Sequence, residues 1–497
     1  MGIQTSDKPL LERVKESEQD KFMQASVAKS QDAQHIKRED SRALLGNWEQ
    51  WRELGEQIRQ RALKYLPDYL EQFSDNVEKN GGDVFFAATE EEAVDYIQKV
   101  VKETGAKRIV KSKSMVTTEI DLDKRLLAMN QGLQLMETDL AEFILQEDDW
   151  AEPTHIVFPA LSKNRDQVRE IFMKLGYEGD NDPMHLARFA RKYLREYFLK
   201  SDLGITGCNF AVADNGMINL VTNEGNADLT MAIPKTQIVV MGMERIVPTM
   251  NDAEILDNML CRSAVGQKLT SYVTFEKGQV AGETDGPEHF HVVIVDNNRS
   301  RALGSEFQSI LQCIRCGACM NVCPVYRHIG GHGYGSIYPG PLGAVLSPIL
   351  GGYQAFQELP YASSLCGACT EVCPVKIPLH KLLIEHRRII TDQRHMQHGL
   401  NNLMMEAIGI GTGFPWLFRT AVRFGHLGLK PLASKGEVHA ENFIKPEGSV
   451  KGGPGLVGGW ADVRDLPLPP KNKDSFRQWF AKHKENQPKP GDQKANQ

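Results

Sequence analysis

Two cysteine-rich stretches fifty residues apart constrain this chain more than anything else in it. The first, LQCIRCGACMNVCPVYRH, sets Cys313, Cys316, Cys319 and Cys323 before Pro324; the second, SSLCGACTEVCPVKIPLH, sets Cys366, Cys369 and Cys373 before Pro374. C-x2-C-x2-C-x3-C-P is the run by which bacterial ferredoxins hold iron-sulfur clusters. Its two-residue spacings let one tight loop aim three sulfurs at a cluster, while the fourth cysteine serves the neighbouring cluster. By that crossover, Cys313, Cys316, Cys319 and Cys373 form one ligand set, expected to hold a [4Fe-4S] cluster, and Cys323, Cys366 and Cys369 form the other. Each half then ligates the other's cluster, so the two motifs must fold side by side. Zinc ribbons use paired C-x2-C without C-P, and disulfides belong to oxidising compartments. CGACMNVCPV and CGACTEVCPV look like duplicated halves of one module.

The second motif lacks its first cysteine, and Ser363 stands where the first copy has Cys313. Three readings are open: a serine hydroxyl as fourth ligand, a [3Fe-4S] cluster that needs none, or a [4Fe-4S] cluster with an open iron of the kind dehydratases use. A neutral hydroxyl is a poor iron ligand beside thiolate, which favours electron transfer through a three-cysteine cluster. Of the other two cysteines, Cys208 opens a strand and Cys261 lies on a helix face, and both read as buried apolar residues.

Five regions follow from the pattern. Residues 1–80 are polar and helical, with Trp48, Trp51, Leu54 and Ile58 on one face that packs on the next domain. From 81 to 300, the runs DVFFAA, KRIVKS, LQLMET, HIVFPA, TQIVVMG and HVVIVDN read as strands between amphipathic helices. This is an α/β domain with a mostly parallel sheet. CNFAVADNGMINLVTN is an exception, a hairpin turning at Asn215-Gly216. Residues 301–390 form a ferredoxin-type domain; its Gly/Pro-rich spacer, GGHGYGSIYPGPLGAVLSPILGG, reads as loops and turns, although its length resembles the helical ferredoxin modules of respiratory reductases. Residues 391–485 are helical and then irregular, an arm laid over other surfaces, and 486–497 form a disordered tail.

A formal charge of -6 gives no reason to expect nucleic acid or anionic membrane as partner. No apolar run approaches the ~20 residues needed to cross a bilayer. The charged N-terminus has no secretory pattern, although Gly2 to Ser6 fits the loose myristoylation motif. Reduced thiolates point to the cytoplasm.

Outside the cysteines the candidate sites are weaker. Lys113, Ser114 and Glu119 lie between a strand and a helix, where they would either bind a substrate or cap the helix, with Glu119 completing a capping box. Asp214 and NEGN at Asn223 fall at strand ends, where open α/β sheets place ligands. His289 and His291 read as structural, and His328 or His332 as a remote candidate ligand of the second cluster. Gly409, Gly411 and Gly413 do not make a dinucleotide fingerprint, because Phe414 occupies its last position, so neither flavin nor nicotinamide is expected.

Beyond these motifs, KSKSMVTTEI at Lys111, FPALSKNR at Phe158, GITGCNFAVADNGMINLVTNEGNADL at Gly204, CIRCGACMNVCPVYRHIGGHGYGSIYPGP at Cys313 and RDLPLPPKNKDSFRQWF near the C-terminus resemble the lactate utilization protein B family of iron-sulfur proteins. The resemblance implies a lactate-utilization domain folded like sugar-phosphate isomerases and CoA transferases. It also implies a bacterial system that oxidises L-lactate to pyruvate, with two companion proteins and no flavin, in which this subunit carries electrons to an acceptor that the sequence does not name. A serine at position 363 looks typical of that family. Two other functions are compatible with the residues: oxidation of a 2-hydroxy acid by the α/β domain itself, and an open-iron hydro-lyase at the three-cysteine cluster.

Overall fold

A computed structural model describes residues 2–129, 132–278, 282, 286–393, 396, 400–434, 449–450, 452–453, 458, 461, 466–467 and 476–485. The chain divides into two compact units, Met1–Ile390 and Thr391–Gln497.

The first unit starts with four helices, Leu10–Gln19, Lys21–Leu45, Trp48–Lys64 and Leu66–Lys79. In the third, Trp48, Ile58, Ala62 and Leu63 are buried, Trp51 is half-buried and Leu54 is exposed. The expected stripe is therefore rotated, and its centre is Gly55 rather than Leu54. A Cβ at Gly55 would lie 2.6 Å from the Met259 Cε atom, so the end of the Met259 side chain from helix Met250–Val265 packs directly on the backbone here.

Ten strands follow: β1 (Asp83–Ala87), β2 (Arg108–Lys111), β3 (Gln134–Glu137), β4 (Leu203–Thr206), β5 (Phe210–Val212), β6 (Met217–Thr222), β7 (Thr236–Gly242), β8 (Ile246–Val247), β9 (Tyr272–Glu276) and β10 (His289–Val295). The six-stranded sheet has the order β1-β10-β7-β4-β2-β3, and every pairing in it is parallel. Strand alternation puts Ile238, Val240, Val293 and Val295 into one apolar layer and Val239, Met241, Val292 and Ile294 into the other. A sheet covered on both faces explains why these strands read as continuous apolar runs. The chain leaves β2 for β3 on one side and returns to β4 on the other. The crevice past the carboxyl ends of β2 and β4 is thus a topological switch point, where such sheets place ligands.

The expected hairpin is present as β5 and β6, which pair antiparallel, and Gly216 adopts the left-handed conformation the turn requires (φ 73°). With β8 and β9 it makes a second, four-stranded sheet, β8-β5-β6-β9. HIVFPA, expected as a strand, is a loop, and β4 takes its place in the sheet. The buried His155 ring accepts from the N–H groups of Val157 and Phe158 at 3.0 and 3.1 Å, and Thr154 N–H donates to the Pro159 carbonyl. Those donors are spent locally and cannot join a ladder.

The spacer between the cysteine motifs corrects another expectation, because Gly340–Gly351 is a twelve-residue helix with Pro348 inside it. It is buried almost all round, and a Cβ at Gly343 would fall 1.4 Å from the Tyr338 carbonyl oxygen. Tertiary burial here outweighs the breaking tendency of glycine and proline. Against it lies helix Leu379–Arg388, whose His386 bonds the Val345 carbonyl at 2.9 Å and Tyr353 Oη at 2.7 Å and stacks on Phe307. Burial pushes the His386 imidazole down to about 4. A base whose folded pKa is depressed contributes stability that is complete above its ordinary value near 6.5 and is lost as the pH falls toward 4. At pH 5 the loss attributable to His386 is about 2 kcal/mol. Thermal unfolding at pH 7.5 and pH 5 reports this as a smaller acid shift in His386→Gln than in the native protein.

In the second unit, helices Leu400–Gly413 and Pro415–Leu429 match the expected helical pattern, and Gly409, Gly411 and Gly413 lie inside the first of them. Parts of the expected irregular arm form short antiparallel strands, with Ser449–Val450 pairing to Ala433–Ser434 and to Leu466–Pro467, and its end begins helix Phe476–Glu485. The expected disordered tail, 486–497, lies outside the described residues. Among the described residues no helix is long and apolar enough to cross a membrane.

Candidate functional site

Cys313, Cys316, Cys319 and Cys373 line one small pocket, closed by Leu342, Pro374, Val375 and Ile377. A residue of the second motif thus joins three of the first. Cys323, Cys366 and Cys369 form a second group whose thiols act on one another electrostatically. Burial, and then the neighbouring thiols, push Cys319 well above its ordinary pKa. Burial raises Cys373 to about 12, and burial with Cys323 and Cys366 raises Cys369 to about 11. Thiols so placed ionise together only if something positive lies among them, which is what an iron-sulfur core supplies. Among the described residues no three His, Cys, Asp or Glu side chains stand close enough to hold a single ion.

Backbone geometry explains both the thiol positions and Ser363. In the first motif Arg315 (φ 60°) and Gly317 (φ 73°) are left-handed on either side of Cys316, and Arg315 N–H donates to Cys313 Sγ at 3.4 Å. In the second, Leu365 (φ 54°) and Gly367 (φ 84°) flank Cys366, and Leu365 N–H donates to Ser363 Oγ at 3.1 Å. Ser363 makes the loop contact that Cys313 makes, with oxygen in place of sulfur. Tyr326 N–H reaches Cys323 Sγ and Ile377 N–H reaches Cys373 Sγ, both at 3.4 Å, so sulfurs of both groups accept backbone donors.

Further residues hold these loops, and local sequence does not announce them. Tyr334 Oη lies 4.0 Å from Cys323 Sγ. Gln31 donates to the carbonyls of Met320 and Cys323 at 2.8 and 3.1 Å, and Arg52 donates to that of Cys373 at 3.0 Å. The fully buried Arg59 donates to the carbonyls of Gln312, Leu311, Ile246 and Glu244. The N-terminal helices are therefore the clamp of the cysteine loops as well as a cover for the α/β domain. His328 and His332 are exposed; His332 bonds the Glu152 carbonyl, and neither joins the cysteines. His291 is bound to Tyr96 and Asp83, in keeping with a structural part.

A large cavity of about 880 Å³ opens at the switch point. Lys113, Asp139, Cys208 and Arg245, which follow β2, β3, β4 and β7, line it with Asn223 and Glu224 from beyond β6. Gly207 passes so near Ser114 that a Cβ would meet it at 3.0 Å, which holds the loops after β2 and β4 together. Of the residues expected here, Lys113, Ser114 and Asn223 are present. Ser114 also caps helix Met115–Glu119 through Thr117 N–H. Cys208 is half-buried at the cavity wall rather than in the core, and burial pushes its thiol up to about 12, which leaves it neutral. Cys261 is buried, as expected, and its thiol is raised to about 11.

Glu119 and Asp214 are not at the cavity. Asp214 is exposed on the hairpin turn. Glu119 makes no capping box, because it is fully buried and takes a two-pronged contact from Arg299, both bonds 2.8 Å, with Tyr338 Oη at 2.7 Å and Asn297 at 2.8 Å. Burial pushes its carboxyl up, but Arg299 and the two hydrogen bonds outweigh that and hold it below the usual range. Arg299 continues to Glu244 at 2.8 Å, and Glu244 to Arg315 at 3.3 Å, an ionic chain from the α/β domain to the first cysteine loop.

The LUD domain family matches residues 70–295 and the 4Fe-4S dicluster domain family matches residues 309–377. Lactate utilization protein B of Bacillus cytotoxicus is 53% identical over 97% of this chain and 99% of its own length. The protein of that name from Geobacillus kaustophilus is 54% identical over 97% and 98%. A crystal structure of a DUF162 family protein from Deinococcus radiodurans aligns with 46% of this chain and 98% of its own, at 15% identity and a TM-score of 0.27, too low to bear on the fold. On sequence identity carried over nearly its whole length, the chain belongs to the lactate utilization protein B family.

Proposed function

We propose that the protein is an iron-sulfur electron-transfer subunit in the oxidation of L-lactate to pyruvate, acting in the cytoplasm with companion lactate-utilization proteins. The observation that carries this reading is the shared pocket of Cys373 with Cys313, Cys316 and Cys319, since exchange of ligands between the motifs keeps two sites adjacent. Cys313, Cys316, Cys319 and Cys373 would hold a [4Fe-4S] cluster, and Cys323, Cys366 and Cys369 a [4Fe-4S] or [3Fe-4S] cluster. Bound clusters supply acceptance and release of single electrons. The chain's own residues bury Cys316, Cys323, Cys369 and Cys373, half-bury Cys313 and Cys319, leave Cys366 exposed, and aim N–H groups at sulfurs of both sets. Ser363 is best read as a loop-forming residue at a vacated ligand position, because its neutral hydroxyl keeps the loop contact that Cys313 makes but is a poor iron ligand beside thiolate.

Anaerobic protein mixed with L-lactate alone should keep its oxidised visible spectrum, and it should bleach once the companion proteins are added. Bleaching by lactate alone would contradict a pure carrier, and no bleaching with the companions present would contradict any carrier role.

A further inference from the structure

Arg315 sits between Cys313 and Cys316, yet its side chain lines the large cavity and is not among the residues lining the thiol pocket. Its Nη2 bonds Glu244 and its plane lies over Tyr338, while Nε and Nη1 are buried with no partner among the described residues. Arg245, also at the cavity wall, has among the described residues a 3.4 Å contact to the Cys313 carbonyl and a distant approach to Glu244, 3.9 Å away. These side chains keep 11% and 8% of their exposure. Donors of a buried guanidinium group that are left open are costly unless an acceptor meets them.

The cavity has an acidic part as well. Glu224 accepts from Leu140 N–H at 3.2 Å, and burial, with Asp139 beside it, pushes its carboxyl up to about 7. Asn226 Oδ1, also at the cavity, is buried with no partner among the described residues. Inorganic phosphate would satisfy the arginines but would meet repulsion at these oxygens. A carboxylate that also carries a hydroxyl satisfies both, because the hydroxyl donates to an acceptor while the carboxylate faces the guanidinium groups.

We infer that this cavity is a binding site for a small hydroxycarboxylate, with Arg245 and Arg315 receiving the carboxylate and Glu224 or Asn226 accepting the hydroxyl hydrogen. The inference rests on the proposed part in lactate oxidation for its choice of probe, and it assigns binding only, with no redox step in the cavity. Its consequence is that ligand binding neutralises a charge within the loop that presents two of the thiols.

Isothermal titration calorimetry on the full, cluster-loaded chain tests it with L-lactate, propionate and inorganic phosphate. L-lactate should bind more tightly than propionate, and phosphate should not compete. Arg245→Gln and Arg315→Gln should each weaken lactate binding about tenfold or more, the loss expected for about 1.4 kcal/mol or more. Glu224→Gln should narrow the preference for lactate over propionate. Absence of carboxylate binding, phosphate binding as tight as lactate, or lactate affinity unchanged in the arginine variants would each overturn the site. If the arginine variants lose iron, the lactate-to-propionate ratio in Glu224→Gln decides: narrowing supports the site and an unchanged ratio overturns it. Bleaching with the companion proteins but no binding here would sink this inference and leave the carrier reading intact.

Discussion

Glu119→Gln should lower the unfolding free energy by about 3–5 kcal/mol, the range for removing one partner of a buried ion pair. The carboxylate receives four hydrogen bonds from Arg299, Tyr338 and Asn297, and Arg299 and Tyr338 have no water to turn to. An amide can accept through one oxygen only, and its NH2 group would face donors. Arg299 would keep Glu244, so the network would be weakened rather than dissolved. Urea unfolding measures the loss directly. The same variant, assayed below its unfolding midpoint, should retain electron transfer, because Glu119 does not line the cavity or the thiol pocket. Native-like stability with abolished function would reverse this assignment and return Glu119 to the list of reacting groups.

Cys373→Ala should remove the cluster of the first motif, although the residue belongs to the second, and Cys323→Ala should damage that of the second. The first loss is the larger in kind. It breaks a complete four-thiol set in a pocket closed by apolar side chains, and about four irons per chain should go with it, whereas the second set has three thiols before any substitution. Iron analysis with visible spectra of the two variants checks the exchange. If Cys373→Ala instead spared the first site and emptied the second, each motif would be serving itself.

Much of this was legible in sequence because it rests on local spacing. The cysteine intervals define two thiol sets, and the alternating apolar runs define five of the six strands in the main sheet. Where reading failed, interactions distant in sequence decided. HIVFPA has the composition of a strand, but His155 captures its donors. LGIT is too short to announce β4, and the Gly/Pro-rich spacer becomes helix Gly340–Gly351 only because every side of it is packed. Lys113 and Asn223 could be placed near the cavity from their positions after strands. Arg245 and Arg315 could not, because their place at the cavity and the open donors of Arg315 are a property of how the first cysteine loop lies against the residues after β7. Glu119, beside Lys113 in sequence, points the other way into Arg299, and only the fold separates them.

Low-temperature electron paramagnetic resonance of anaerobic native protein, with an iron count on the same sample, is the most direct test of the central claim that two adjacent clusters share crossed ligands. The account predicts about seven to eight irons per chain and, on reduction, signals from two interacting centres; a three-iron signal in the oxidised state would fix the nuclearity at Ser363. About four irons with a single isolated signal would contradict it.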